Sequence, residues 1–209
     1  MNNNAANIDP STMFKLSYGL FVLSAKDGEK DNGCIINTVT QITANPIKIS
    51  VAVNKANLTH DMILHTKAFN VSVLTESTPF SLFKNFGFAT GRDTDKFAAY
   101  NEINRTGNGI RYLTENTNAV ISAHVTDILD CGTHSVFIAD VTQAFSLSAE
   151  PSATYQYYFD HIKPKPQAIE DKKVGYICKI CGYIYEGEPL PNDFICPICK
   201  HGAADFEKL

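Results

Sequence analysis

Several features are missing from this 209-residue sequence, and each absence excludes a class of protein. There is no excess of basic residues, since the formal net charge is -4, and this argues against nucleic-acid binding. The longest apolar run near the N-terminus, residues 19–23, is far shorter than the roughly 20 residues that span a bilayer. The first 12 residues contain no Lys or Arg, which a secretory signal would need. We therefore expect a cytoplasmic protein that binds neither membranes nor nucleic acid.

Tryptophan is also absent, but the sequence has enough apolar residues to fold. Hydrophobic residues make up 44% of it, which excludes a disordered or collagen-like polypeptide. Its length fits one large domain, or one domain with a small appendage. Six cysteines in a cytoplasmic protein serve more often as thiols or metal ligands than as disulfides.

The cysteines are distributed unevenly along the sequence. Cys34 and Cys131 stand alone, and we expect both to be small buried thiols. The other four cluster near the C-terminus: Cys178, Cys181, Cys196 and Cys199. A polar stretch with two prolines, which favour an extended backbone, precedes this cluster. The sequence thus predicts a large domain over residues 1–162, a linker over residues 163–173 and a small domain over residues 174–209.

Alternating apolar residues predict that the large domain consists mostly of β-strands. Alternation with a period of two is typical of half-buried antiparallel strands. It occurs in five segments, which begin at Phe14, Ile47, Phe69, Ala119 and His134. Because no strand-helix-strand rhythm is present, an antiparallel barrel is favoured over a doubly wound parallel sheet.

Only two short helices are predicted in the large domain. One has Thr78 as its N-cap, Pro79 at its first position and Gly87 just past its end. The other begins near Asn57 or Thr59. The predicted fold class is therefore mainly β.

The strongest chemical signal is a pair of Cys-x-x-Cys sequences, Cys178–Cys181 and Cys196–Cys199, separated by 14 residues. Four thiolates can surround one metal ion tetrahedrally. A segment of fewer than about 40 residues rarely folds without a cross-link such as a bound metal, so we expect this segment to need its metal in order to fold. On spacing alone, a structural zinc ribbon is favoured.

The residues around these cysteines resemble rubredoxin, the small iron protein with one Fe(Cys)4 centre. The resemblance rests on Tyr176, Gly182, Tyr183, Tyr185, residues 193–199 and Phe206. Phe194 stands where tryptophan is common. The resemblance implies that the four cysteines bind iron rather than zinc, beside a small aromatic core of Tyr176, Tyr183, Phe194 and Phe206. A closed site of this kind passes single electrons and does no bond chemistry.

A one-electron carrier attached to a barrel needs a source of electrons. A flavin suits this role, because it accepts a hydride and can release electrons singly. No glycine-rich dinucleotide fingerprint follows any predicted strand, so the flavin must be held in another way.

Three polar stretches supply candidate flavin contacts. These are Asn37, Thr38, Val39, Thr40 and Gln41; then Asn54, Lys55, Asn57 and Thr59; and then Arg92. A helix N-terminus beside Lys55 is a natural phosphate site, and the Arg92 guanidinium can bind phosphate through two hydrogen bonds. Each stretch taken alone fits an ordinary surface turn about equally well.

Taken together and in order, these stretches resemble the flavin reductase-like, FMN-binding split-barrel proteins. The resemblance covers about residues 10–160 and rests on residues 18–22, 37–41, 51–59, 69–74 and 86–97. It implies an antiparallel split β-barrel, bound FMN, and a homodimer with the flavin near the subunit interface.

The segment Gly132-Thr133-His134 is similar to a Gly-Asp-His segment that this family associates with nicotinamide approach. The similarity implies a catalytic role for His134. The alternative is a histidine that only packs and hydrogen-bonds at the start of a strand.

The whole arrangement resembles the high-molecular-weight rubredoxins of anaerobic microbes. It implies an oxidoreductase that passes electrons from NAD(P)H through FMN to an Fe(Cys)4 centre. The expected acceptor is a partner protein, a flavodiiron protein that reduces nitric oxide or oxygen. The alternative is a non-enzymatic flavin-binding module with zinc in a structural tail.

Overall fold

The computed structural model describes residues 9–100, 104–164, 175–179, 183–196 and 201–209. The chain divides into two compact units, Met1–Lys163 and Pro164–Leu209. Nearly all of the predicted linker lies outside the described residues, so its boundaries stay a prediction. Within the described ranges, every helix is too short or too polar to cross a bilayer.

The first unit is built on seven strands. They are β1 (Phe21–Asp27), β2 (Lys30–Ile36), β3 (Val39–Ala44), β4 (Ile47–Asn54), β5 (Ala68–Leu74), β6 (Thr117–Asp130) and β7 (His134–Ser146). They form one antiparallel sheet in the order β2-β1-β5-β6-β7-β4-β3. The mainly β, antiparallel fold predicted from the alternation is confirmed.

The sheet curls around an apolar core. Buried side chains from β1, β2, β4, β5, β6 and β7 pack in one cluster, although β2 and β3 are the two ends of the sheet. Cys34 and Ile36 reach this core from β2, and Val39 packs against it from β3. Only Asn37 and Thr38 connect these two end strands in the sequence.

Three α-helices accompany the sheet among the described residues of the first unit. Helix α1 (Leu58–Thr66) follows β4, as predicted, with Asn57 at its N-cap position. Helix α2 (Phe80–Phe83) continues as a π-helical turn, Lys84–Phe88. Helix α3 (Tyr155–Tyr157) continues in the same way as Tyr158–Ile162. A second buried cluster, rich in phenylalanine, packs around α2 and α3.

The structure corrects two predicted elements. The strand expected from Phe14 begins at Phe21, and Pro10–Lys15 forms a 3-10 helix instead. Leu16 is more than half exposed, whereas Leu20 and Val22 of the same alternation are buried, so only the later part of the alternation faces a core.

The predicted helix ends were also wrong, because Pro79 occupies the N-cap position and Gly87 lies inside the π-helical turn. The Thr78 hydroxyl donates to the carbonyl of Asn116 rather than capping the helix. In a π-helical turn each carbonyl accepts from the N–H five residues later, rather than four as in an α-helix. The helical segment therefore extends past the glycine.

The second unit contains a small antiparallel sheet. Its strands are β8 (Tyr176–Cys178), β9 (Ile184–Tyr185) and β10 (Phe206–Lys208), in the order β10-β8-β9. A short 3-10 helix, Ala203–Asp205, precedes β10. The core contains Cys178, Cys196 and Phe206, and Tyr176, Tyr183, Tyr185, Leu190 and Phe194 pack against it. The predicted aromatic cluster is therefore confirmed, with Tyr185 as a further member.

Candidate functional site

The end of β4 brings two of the predicted stretches together. Asn54, the last residue of β4, lies opposite His134 at the start of β7. The N–H of Lys55 donates to the carbonyl of Thr133 at 3.0 Å. The strands β4 and β7 are far apart in the sequence, so this contact depends on the order of the sheet. Asn54, Lys55 and His134 therefore share one edge.

The stretch at the start of β3 joins the same edge. The Thr38 hydroxyl donates to the carbonyl of Ala52 at 2.8 Å and accepts from its N–H at 3.2 Å. Val39 lies opposite Val51 in β4. Asn37, Thr38 and Val39 are partly buried, whereas Thr40 and Gln41 are exposed. The polar groups of this stretch thus lie beside the end of β4.

The first turn of α1 supplies backbone donors at this edge. The Asn57 side chain makes no capping hydrogen bond, and Asn54 Oδ1 accepts from the N–H of Ala56 at 2.9 Å. The first N–H groups of a helix have no partner within the helix, and the helix dipole makes this end positive. The arrangement suits a phosphate or another anion.

Arg92 is held at the same turn of α1. Its Nη2 donates to Oδ2 of Asp61 at 2.7 Å, and the Arg92 side chain is still about half exposed (52%). Burial alone would raise the pKa of Asp61, but hydrogen bonds from Arg92 and His60 lower it below its ordinary value. Asp61 therefore stays ionised and holds the guanidinium near the helix N-terminus.

His60 was not singled out from the sequence. Its Nε2 lies 2.9 Å from the Ser135 hydroxyl, and its Nδ1 lies 3.2 Å from Oδ1 of Asp61. Both His60 and Ser135 are buried. The imidazole thus links the start of β7 to the Asp61–Arg92 pair. The only sequence signal was its position in the first turn of a predicted helix.

Two other predicted residues have structural partners. Thr59 is fully buried, and its hydroxyl accepts from Nδ2 of Asn32 at 2.9 Å. This hydroxyl faces the interior and supports α1 from inside, so any contact with a ligand is through the backbone. Lys55 Nζ lies 2.7 Å from Oδ1 of Asp130, and Lys55, together with the Gly132 N–H, lowers the pKa of Asp130.

His134 is partly buried, and its Nδ1 lies 2.9 Å from the hydroxyl of Thr133. Thr133 thus orients the imidazole ring at the edge where β4 ends with Asn54. This contact fits a packing role and a role toward a ligand equally, so the catalytic role stays a prediction.

The two lone cysteines differ from each other. Cys34 is buried as predicted, and burial raises the pKa of its thiol above the ordinary value. The prediction that Cys131 is buried was wrong, because Cys131 is exposed. It lies in the tight turn between β6 and β7, where its N–H donates to the carbonyl of His134 and Gly132 has a φ of 76°.

Two backbone hydrogen bonds of the same spacing occur at cysteines of the second unit. The N–H of Cys178 donates to the carbonyl of Tyr183, and the N–H of Cys196 donates to the carbonyl of His201, each at 2.8 Å. In both cases the acceptor lies five residues after the cysteine. Cys178 and Cys196 are almost fully buried (1% and 0% exposed). Cys181 and Cys199 lie outside the described residues. Two buried cysteines with equally spaced backbone hydrogen bonds fit a tetrahedral thiolate site.

Two protein families match this chain. The flavin reductase like domain matches residues 13–165, and the rubrerythrin, rubredoxin-like domain matches residues 176–207. The chain is 37% identical to the high molecular weight rubredoxin of Moorella thermoacetica, over 97% of this chain and 100% of that protein. It is 34% identical to the ferric-chelate reductase (NAD(P)H) of Archaeoglobus fulgidus, over 72% of this chain and 89% of that protein.

The fold is also found among solved structures. The FMN-binding protein of Thermus thermophilus, solved with bound 1-cyclohex-2-enone, superimposes with a TM-score of 0.62. The match covers 91% of this chain and 93% of that chain, at 19% sequence identity. At this identity the similarity shows the fold alone.

Proposed function

We propose that this chain, which belongs to the flavin reductase-like family and within it to the high-molecular-weight rubredoxins, passes electrons from NAD(P)H through FMN to an Fe(Cys)4 centre. One observation carries the proposal: the same chain contains the polar edge at the end of β4 and two Cys-x-x-Cys sequences whose first cysteines are buried and make equally spaced backbone hydrogen bonds. The first suits a flavin, and the second suits a one-electron metal centre.

The first unit supplies groups for both ends of FMN. Arg92 and the first turn of α1 would bind the phosphate, because both present N–H donors at one place. Asn37 to Gln41 and Asn54 would bind the polar edge of the ring through amides and hydroxyls. A single phosphate site favours FMN over a dinucleotide flavin. Lys55 and Asn57 lie in the segment that joins Asn54 to α1 and would contribute to the same site, and Thr59 would contribute its backbone N–H.

The second unit supplies a closed donor set. Cys178, Cys181, Cys196 and Cys199 would hold iron as thiolates, and Tyr183, Phe194 and Phe206 would keep water from it. When both groups are bound, the flavin supplies two-electron chemistry and the iron supplies one-electron transfer. The role of the protein is to hold these groups and to exclude water from them. We include a homodimer in the proposal, as the family resemblance implies.

The acceptor in this proposal is a separate protein, a flavodiiron protein that reduces nitric oxide or oxygen. A centre closed by four thiolates has no open position for a small substrate, so its electrons leave to a docked protein. Glu186 and Glu188 are exposed, lie between the two Cys-x-x-Cys sequences and would steer a partner with a basic surface.

Anaerobic absorbance spectroscopy tests the proposal. The purified protein should show flavin and ferric tetrathiolate bands together, and NADH or NADPH should bleach both. Metal analysis should find iron. Zinc in place of iron, or iron that the nicotinamide cannot reduce, would support a flavin-binding module with a structural metal instead.

A pair of cysteine variants separates the two steps. Cys196→Ser should abolish electron transfer to a flavodiiron protein and leave flavin reduction unchanged, while Cys131→Ser should change neither. Loss of both activities in a folded Cys196→Ser protein would show that the steps are not divided between the two units.

A further inference from the structure

The loop that carries Arg92 is fixed to the sheet on both sides of that residue. Residues 89–97, here called the Arg92 loop, follow the π-helical turn after α2. The attachments are made to Asn32 and Gly33, which are consecutive residues of β2. Arg92 lies between the two attachments in the sequence.

The first attachment is a close contact between Gly91 and Asn32. A Cβ at Gly91 would overlap the carboxamide of Asn32, so only glycine fits. Asn32 is 2% exposed, and its Nδ2 donates to the hydroxyl of Thr59 in α1. Its Oδ1 has no hydrogen-bond partner among the described residues, so the glycine meets it as a packing contact. One side chain thus supports both α1 and the Arg92 loop.

The second attachment is the buried ammonium group of Lys96. Its Nζ donates to the carbonyl of Gly33 at 3.0 Å and to that of Phe86 at 2.9 Å. The carbonyl of Lys96 accepts from Nδ2 of Asn85 at 2.6 Å. Lys96 is only 4% exposed, and burial lowers its pKa. A buried ammonium is costly and needs such acceptors. The contacts tie the loop to both β2 and the π-helical turn.

Between the attachments the loop folds into a compact turn. The N–H of Arg92 donates to the hydroxyl of Thr90, and the N–H of Thr94 donates to the carbonyl of Thr90. The Arg92 side chain then reaches Asp61 in the first turn of α1. A loop fixed on both sides restricts where the guanidinium can lie, and this reduces the entropy lost when it binds an anion.

We propose that Lys96 and Asn32 are positioning residues for phosphate binding: they hold the Arg92 loop against β2, so that the guanidinium stays beside the N-terminus of α1. The inference rests on the proposed function, in which this place binds the flavin phosphate. Neither residue touches the phosphate. Both act through Arg92.

This role predicts selectivity between two flavins that share the same ring. FMN carries a phosphate and riboflavin does not. Loss of a residue that positions Arg92 weakens the binding of FMN and leaves the binding of riboflavin nearly unchanged. Loss of a residue that merely stabilises the fold weakens both alike. The ratio of the two dissociation constants therefore distinguishes the roles.

The experiment uses the full-length protein freed of flavin, with binding of FMN and riboflavin followed by fluorescence quenching. Lys96→Met should weaken FMN binding about tenfold, which is the effect of one lost charge-assisted hydrogen bond. It should weaken riboflavin binding by less than about twofold. Lys84→Met is the matched control, because Lys84 is an exposed lysine on the neighbouring π-helical turn. It should change neither constant.

The double variant tests whether Lys96 acts through Arg92. Arg92→Ala should weaken FMN selectively, and adding Lys96→Met to it should cause little further loss, because the two residues serve one contact. If Lys96→Met does not fold, Asn32→Ala gives the same comparison, with circular dichroism as the check on folding.

Two outcomes would overturn the inference. One is an equal loss of FMN and riboflavin affinity in Lys96→Met and Asn32→Ala. The other is a Lys96→Met effect that adds fully to that of Arg92→Ala. If the wild-type protein binds neither flavin, the proposed function itself fails, and the inference fails with it. That result is recognised before any variant is made.

Discussion

Cys34 and Cys131 carry the same thiol in opposite surroundings. Cys34 is enclosed in the core of the barrel, while Cys131 lies exposed at the turn between β6 and β7. The thiolate is the reactive form of cysteine, and burial keeps the Cys34 thiol protonated. We expect iodoacetamide to modify Cys131 in the native protein and to reach Cys34 only after denaturation.

Mass spectrometry of the digested protein checks this expectation. Cys131→Ser should remove the native-state label from the first unit. A label found on Cys34 without denaturant would contradict the burial described here.

The same burial predicts a dependence of stability on pH. The pKa of Cys34 lies above its ordinary value of 9.0, so the unfolded thiol ionises at a lower pH than the folded thiol. Cys34 therefore contributes to the free energy of unfolding below about pH 9, and this contribution is lost as the pH rises further. Lys96 acts in the opposite sense, because burial lowers its pKa.

Comparison with Cys34→Ala measures the contribution of the thiol, including its charge interaction with Lys96. Urea unfolding between about pH 8 and pH 10 should show a steeper loss of stability in the wild type than in the variant. Parallel pH profiles would contradict the raised pKa.

For single residues, the chemical type of a contact is easier to predict from the sequence than the direction in which the side chain faces. Arg92 and Asn54 were predicted as contacts from their polar groups, and the structure places both beside the first turn of α1. Thr59 was predicted on the same grounds, yet its hydroxyl faces the interior. The burial of Lys96 was not predicted, because a lysine in a polar loop gives no sign that it will be buried.

Among the strands, alternation was a sufficient guide only where one face is buried. In β4, Ile49, Val51 and Val53 are buried at every second position, and this strand was predicted. Strand β2 has no such alternation, and β3 is almost entirely exposed along its length. Period-two patterns arise from a buried face, so a strand without one is not found in this way.

The exposure of β3 bears on the proposed homodimer. β3 is an end strand, and it presents Ile42 (47% exposed) to the outside, with Ile47 (52% exposed) at the start of the next strand. Exposed apolar groups on an edge strand favour association. We expect Ile42→Glu to convert the dimer to a monomer, as measured by light scattering after size-exclusion chromatography.

Ile42→Val is the matched control, since it keeps an apolar group at the same place. It should remain dimeric. A dimer that persists unchanged in Ile42→Glu would show that the interface lies elsewhere on the first unit.

For the whole molecule, the predicted division into domains was based on where the cysteines cluster in the sequence. Four cysteines near one end indicated a metal-dependent segment, and the segment matches a rubredoxin-like domain. The convergence of residues 37–41, Asn54 and His134 was harder to predict, because it follows from β4 pairing with both β3 and β7. Local sequence patterns do not predict the pairing of strands that are distant in the sequence.

The two units are expected to differ in their need for metal. The first unit has its own large apolar core, while the second is too small to bury a comparable one. Preparing the protein without metal should remove the unfolding transition of the second unit and leave that of the first unchanged. Differential scanning calorimetry measures both transitions.

Adding iron back to the metal-free protein should restore the lost transition, and Cys196→Ser should prevent the recovery. A second unit that unfolds cooperatively without any metal would contradict the expectation.

The two equally spaced hydrogen bonds at Cys178 and Cys196 also bear on how the proposed centre would assemble. The N–H of Cys178 bonds to Tyr183 and that of Cys196 to His201, so each of these bonds can form without the other Cys-x-x-Cys sequence. Once one pair has captured the ion, the other pair is tethered to it by 14 residues. A tether of this length confines the second pair at an effective concentration on the order of millimolar. For the proposed four-cysteine centre we therefore expect cooperative metal loading, in which partly ligated forms give way to the complete centre.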